Sequence, residues 1–192
     1  MTYNYYTDGA STMKKIDGEY VRENGGWAFA QIKDDKVIFV LSGHEDKTTN
    51  QAMELRAIYE ALAHYHKHYY SETIADTINI YSDSAYSINI YTNWCKNWEA
   101  NGWTRGKKHE KIENLEVIKK TWKLLKVLNS GFNNVSFIKV KGHSNNKFNN
   151  YVDELAVAVK ESPTAITNKY MTESTRGKRA ELSCIDDWKG GI

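Results

Sequence analysis

With only two cysteines in 192 residues, Cys95 and Cys184, the chain has no means of building a disulfide scaffold, and their spacing fits no zinc motif. A cytoplasmic setting is the expectation. Long apolar runs are missing too: nothing approaches the roughly 18 uninterrupted residues of a membrane span. The first residues pass from Thr2 through Tyr6 to Asp8 and Gly9 without the basic stretch and short apolar core of a secretion signal. Nor is there an excess of one charge, since the net value of +2 selects no class of partner. Internal repeats and low-complexity tracts are absent. What remains is a globular balance of 41% hydrophobic and 26% charged residues, enough for one sizeable core. Beyond Pro163, the only proline, serine, threonine and charge take over, with Arg176-Gly177-Lys178-Arg179 near the end. Residues 1–160 read as one domain and 161–192 as a C-terminal tail whose order the sequence leaves open.

Charge is unevenly distributed. Residues 94–126 carry nine Lys/Arg against four Glu, a local excess of +5 interleaved with Trp94, Trp98, Trp103 and Trp122. Cations neutralise phosphates and aromatic faces stack on bases or sugars, so this segment suits nucleic acid. An amphipathic helix with a solvated lysine face accounts for the same composition.

Along the chain, Tyr-rich residues 2–8 read as a strand that ends in a turn at Asp8-Gly9-Ala10-Ser11, followed by a loop over 12–25. Trp27 to Ile32 and Val37 to Leu41 form a hairpin across the polar turn Lys33-Asp34-Asp35-Lys36. From Gln51 to about Tyr69, Leu55, Ile58, Tyr59, Leu62 and Tyr65 recur at helical spacing. Residues 77–82 alternate as a fourth strand, and Asp83-Ser84 caps a short helix through Ile90. A helix over about Glu110–Leu128, a strand over Val135–Val140 and a last helix from Phe148 to about Val159 complete the order. The expected fold is α/β: a mixed five-stranded sheet, its first three strands antiparallel, with helices on both faces.

Two segments echo each other, Tyr6-Thr7-Asp8-Gly9-Ala10 and Tyr81-Ser82-Asp83-Ser84-Ala85. If their strands are parallel neighbours, Asp8 and Asp83 lie together at the carboxyl edge of the sheet, where such sheets bind ligands. Taken singly, Asp8 reads as the start of an Asp-Gly turn and Asp83 as a helix cap. Glu54 falls in line with the sheet-facing stripe of its helix, whereas Glu60 does not; a flank position reaching solvent is the alternative for Glu54. Asp153 lies near the start of the last helix. Four clustered acids form a hard oxygen site that suits Mg²⁺ or Mn²⁺ rather than zinc, and a pair of such ions activates water and stabilises the leaving oxygen of a phosphodiester. His143, ten residues before Asp153, is suited to carry a proton on the leaving side. The cluster His64, His66 and His68 reads as surface.

These residues carry a resemblance. Tyr-Thr-Asp-Gly-Ala-Ser at 6–11, Thr-Thr-Asn-Gln-Ala-Met-Glu-Leu at 48–55, Tyr-Ser-Asp-Ser at 81–84, Asn-Trp-Cys-Lys-Asn-Trp-Glu-Ala-Asn-Gly-Trp at 93–103, and Val-Lys-Gly-His-Ser at 140–144 leading to Asp-Glu-Leu-Ala at 153–156 follow one another in the order and spacing of the type 1 ribonucleases H. The chain resembles that family over residues 1 to about 160. The resemblance implies a ribonuclease H-like sheet and endonucleolytic, two-metal hydrolysis of the RNA strand of RNA–DNA hybrids, leaving 3′-hydroxyl and 5′-phosphate ends. It implies that Asp8, Glu54, Asp83 and Asp153 hold two Mg²⁺ ions, with Mn²⁺ as a substitute, and that His143 assists turnover and product release. It further implies that Asn50 and Gln51 touch 2′-hydroxyls, Thr49 and Asn114 phosphates of the DNA strand, and Trp94 a deoxyribose. The Asn114 match requires a one-residue insertion after Trp103. The segment from Trp94 to Lys120 resembles the family's basic handle.

Three departures stand out. Ala52 replaces an arginine of many relatives, the 12–25 loop lacks their glycine-rich text, and no separate hybrid-binding module precedes the first strand. Two other functions fit the same fold: a catalytically weak hybrid-binding protein and a DNA-acting nuclease. A monomer is expected because no apolar stripe is left unassigned.

Overall fold

The computed structural model describes residues 1–161; the tail beyond Glu161, with Pro163, Cys184 and the basic run at 176–179, lies outside the described residues. The sheet comprises β1 (Thr2–Ile16), β2 (Glu19–Lys33), β3 (Lys36–Glu45), β4 (Thr77–Ser82) and β5 (Asn134–Lys139), in the spatial order β3-β2-β1-β4-β5. β1 to β3 are antiparallel, and β4 and β5 run parallel to β1. Helices α1 (Asn50–His68), α2 (Ala85–Asn89), α3 (Cys95–Ala100), α4 (Leu115–Ser130) and α5 (Lys147–Glu161) complete the domain, with a five-residue π turn, Ile90–Trp94, joining α2 to α3. The expected fold class is borne out, including helices on both faces. No helix among the described residues is long and apolar enough to cross a membrane.

Alternation along the strands divides the interior in two. On one face Tyr5, Phe29, Ile78 and Ile80 meet Leu55, Ile58 and Leu62 of α1 and Ile118, Leu124 and Leu128 of α4. On the other, Ala10, Ala28, Ala30 and Ile32 meet Val152, Leu155, Ala156 and Val159 of α5. Small residues dominate this second face because α5 lies almost on the backbone. A Cβ at Gly26 would stand 2.2 Å from the Ala156 carbonyl oxygen.

Local chemistry explains the boundaries. Thr49 caps α1, its hydroxyl accepting the Ala52 N–H at 3.1 Å, while His66, Lys67 and His68 end the helix where cations suit its dipole. The β2–β3 turn has Asp34 and Asp35 at φ 49° and 58°, the geometry of a tight hairpin turn, as the sequence suggested.

Several expectations are corrected. The strand does not end at Asp8-Gly9, and residues 12–25 are not a loop: β1 and β2 continue as a hairpin that turns at Asp17-Gly18. Gly9 serves close approach, because a Cβ there would lie 2.2 Å from the Glu54 nitrogen on α1. The helix expected from Glu110 begins at Leu115; Asn114 adopts φ 57°, and Arg105 and Glu110 form an antiparallel bridge instead. His64 is buried rather than on the surface, stacked on Phe39 at 4.1 Å with a ring nitrogen 3.1 Å from the Tyr5 hydroxyl. Glu60 is buried as well, paired with Arg56 at 2.6 Å.

Because α5 packs on the Gly26 backbone, Gly26→Ala is expected to cost about 1–3 kcal/mol of stability. A lowered urea midpoint with an unchanged m-value checks this; an unchanged midpoint contradicts the contact.

Candidate active site

Parallel register brings the first two acids together. Tyr6 pairs with Tyr81, so two residues further on Asp8, within β1, lies beside Asp83, the first residue after β4. Asp83 does not cap the helix that follows. Ser84 does, its hydroxyl accepting the Ser87 N–H at 3.3 Å. Glu54 enters from the second turn of α1, brought close by the absence of a side chain on Gly9. One carboxylate oxygen from each of Asp8, Glu54 and Asp83 lies within 4.8 Å of the others, with Asp8 and Glu54 each only 5% exposed.

Asp153 stands in the second turn of α5, outside that tight group, yet near enough for its charge to raise the Asp8 pKa. Its Oδ2 is 3.8 Å from Nδ1 of His143, whose side chain is 88% exposed on the β5–α5 loop at φ 47°.

The electrostatics follow from crowding. Burial first, and the Asp83 charge second, push the Asp8 carboxyl up to about 7, although the Gly9 N–H donates to its Oδ1 at 2.7 Å and pulls the other way. Burial, then Asp8 and Asp83, hold Glu54 well above the ordinary carboxylate range. Lys139 opposes this weakly, and its ammonium donates to the Asp83 backbone carbonyl rather than to a carboxylate. Glu54 Oε2 is buried with no hydrogen-bond partner. Three acids without an adequate cation, one oxygen of them orphaned, and an all-oxygen donor set fit a hard divalent ion.

Other anticipated residues surround this edge. Thr49 is half-buried at the start of α1, and Asn50 and Gln51 are exposed beside it. Trp94 is half-buried at the end of the π turn, 5.7 Å from Tyr86 and 5.6 Å from Trp98, ring centre to ring centre. Asn114, on the far side of the long loop from Trp94, leaves a buried side-chain nitrogen without a partner. Sequence reading missed two contributors. Asn149 is buried and its amide approaches Asp83 Oδ2 at 3.5 Å; its signal was a position one helical turn before Asp153. Gly142 admits the same carboxylate, since a Cβ there would meet Asp83 Oδ2 at 2.5 Å.

The ribonuclease H family model matches residues 1–161. The chain belongs to the ribonuclease H family. A relative named ribonuclease H from Chlorobium limicola is 40% identical over 154 residues, covering 79% of this chain and 90% of the relative. Among solved structures, LC9-RNase H1, described as a type 1 RNase H with the type 2 active-site motif, superposes with a TM-score of 0.61 at 23% identity, over 83% of this chain and 72% of the other. LC11-RNase H1, solved in complex with an RNA/DNA hybrid, gives 0.57 at 15% identity, over 84% and 98%. These two likenesses show the same fold. As a ribonuclease H the chain is a hydrolase of nucleic acid, and Asp8, Glu54 and Asp83 fit its catalytic site.

Folding raises the Asp8 pKa from 3.8 to about 7, so the folded state holds this proton longer than the unfolded chain does. Its contribution to stability is full below pH 4 and is lost as pH climbs toward 7. In EDTA, the melting temperature of Asp8→Asn is expected to rise above wild type progressively over that range, by about 2–4 °C per kcal/mol. A difference that stays constant with pH contradicts the crowded site.

Proposed function

We propose that this chain is an endonuclease that hydrolyses the RNA strand of RNA–DNA hybrids with two Mg²⁺ ions, Mn²⁺ substituting, leaving 3′-hydroxyl and 5′-phosphate ends. The observation that carries the reading is the convergence of Asp8, Glu54 and Asp83 within 4.8 Å in a member of this family. Asp8 and Asp83 would anchor the ions, with Glu54 and Asp153 completing one side each. Bound there, divalent ions supply an activated water and neutralise charge on the leaving oxygen.

The chain's own residues do the rest. The acids orient through rigid elements, Asp8 from a central strand and Glu54 from a helix buried along most of its length. His143, exposed and 3.8 Å from Asp153, takes up and returns a proton on the leaving side and aids product release. Asn50 and Gln51 read 2′-hydroxyls, the feature that distinguishes RNA from DNA, while Thr49 and Asn114 hold phosphates of the DNA strand. Trp94, braced by Tyr86 and Trp98, offers a firm apolar face to a deoxyribose. Recognition by shape and sugar implies little base specificity. LC11-RNase H1, with the same fold and a bound hybrid, supports this choice of substrate. The reading extends to a catalytic domain over residues 1–160 acting as a cytoplasmic monomer.

Cleavage of labelled RNA–DNA hybrid, double-stranded RNA and double-stranded DNA, each with Mg²⁺ or EDTA, tests the proposal. Wild type is expected to cut only the hybrid's RNA and only with metal, and Asp8→Asn to cut nothing. Equal cutting by Asp8→Asn refutes the site; hybrid binding without cutting by wild type favours a binding protein. Separately, His143→Ala is expected to lower kcat by about 10²-fold with little change in KM. A KM effect alone contradicts the proton role.

A further inference from the structure

Past the pairing of Ser11 with Gly25, the first hairpin leaves the body of the domain. Four further pairs follow, Met13 with Arg22, Lys14 with Val21, Lys15 with Tyr20 and Ile16 with Glu19. None of their side chains belongs to either core, and Met13, Ile16, Tyr20 and Val21 are 59%, 51%, 71% and 42% exposed. These exposed apolar residues were not reckoned with when the sequence was read as leaving no stripe unassigned. At about 3.4 Å per residue, residues 13–16 project about 14 Å.

The two faces of this arm differ in charge. Residues directly opposite in an antiparallel pair share a face, so Met13, Lys15, Tyr20 and Arg22 lie on one side and Lys14, Ile16, Glu19 and Val21 on the other. Lys15 Nζ lies 5.8 Å from the centre of the Tyr20 ring, in keeping with this division. The second face is internally balanced, with Lys14 bonded to Glu23 at 2.9 Å and Glu19 nearby. The first carries two cations and no acid, and Arg22 has no ion-pair or hydrogen-bond partner among the described residues. Where the register shifts, β2 sets Glu23 and Asn24 against the single residue Thr12, so alternation along β1 is unbroken. Gly9, Ser11, Met13 and Lys15 therefore face the side on which Gly9 touches α1, the side of Thr49, Asn50 and Gln51.

We propose that the face carrying Met13, Lys15, Tyr20 and Arg22 is a second contact for the sugar-phosphate backbone of a nucleic-acid duplex, outside the catalytic edge. Charge complementarity selects this partner: two unneutralised cations meet phosphates, and a tyrosine ring beside them covers a sugar. A reach of about 14 Å matches roughly four base-pair steps. The inference rests on the reading of the chain as a hybrid hydrolase, and it adds length dependence to binding.

The test uses the full chain in EDTA and anisotropy of fluorescein-labelled hybrids of roughly 10 and roughly 24 base pairs, across a series of salt concentrations. Lys15→Gln/Arg22→Gln is expected to bind the longer hybrid about tenfold more weakly, with a log–log salt slope shallower by roughly two, and the shorter hybrid with less than about threefold loss. Tyr20→Ala is expected to weaken the longer hybrid selectively, and Lys14→Gln, on the balanced face, to match wild type. Coincident thermal melts exclude misfolding. Equal affinity and slope for wild type and the double variant overturn the arm while cleavage by wild type leaves the hydrolase reading intact. If wild type cuts no hybrid but the double variant still loses duplex binding, the arm stands and the hydrolase reading falls. A wild-type dimer in sedimentation that Tyr20→Ala dissolves overturns the arm in favour of self-association.

Discussion

Mutual repulsion among buried carboxylates is the constraint on which the rest of this structure depends. Asp8, Glu54 and Asp83 are crowded into low-dielectric space that each would avoid alone. Nothing local holds them there, because the nearest cation, on Lys139, is directed at a backbone carbonyl. The restraint comes from the elements that bear them. β1 is flanked on both sides by other strands, β4 is locked between β1 and β5, and α1 buries twelve of its nineteen residues. Apolar burial on both faces of the sheet thus supports a site that on its own opposes folding, an arrangement common where function and stability conflict.

Much of this was legible in the sequence, for reasons that can be named. The helical spacing of Leu55, Ile58 and Leu62, the alternation of residues 77–82 and the polar turn at Asp34-Asp35 are local signals, and the structure honours each. The echo between the Asp8 and Asp83 segments worked because parallel register is a local property repeated on neighbouring strands. What failed needed knowledge of the neighbours. Asp8-Gly9 and Asp17-Gly18 are the same dipeptide, but only the second is a turn; the first is glycine because α1 presses on it. His64 carries the signature of a helix terminus, yet a phenol hydroxyl and an aromatic ring on two different strands draw it inward. Burial drives its pKa down to about 3, so it sits there as a neutral ring.

The basic, tryptophan-rich segment shows that two readings of one composition can both hold. α4 is an amphipathic helix with Ile118, Leu124, Leu125 and Leu128 in the interior, as the bland account required. Its outward face, and the loop before it, still present Lys107, Lys108, Lys111, Lys120 and Lys123 to solvent. Some of the charge is taken up internally, for Glu99 receives both the Trp122 indole N–H at 2.8 Å and the Lys126 ammonium at 2.6 Å. That pair ties α3 to α4, so the surface that remains cationic is held on a fixed frame.

The π turn over Ile90–Trp94 has a consequence for how this region tolerates change. Such a turn is equivalent to one extra residue within an otherwise continuous helical path. Each α-helical residue advances the chain by about 100° around the axis, so losing one residue here would straighten the path yet swing everything after it by about that angle. Cys95 would leave the interior and Trp98 would lose its place against Trp94. Substitutions in the segment alter a side chain, but a change in its length re-indexes a whole face.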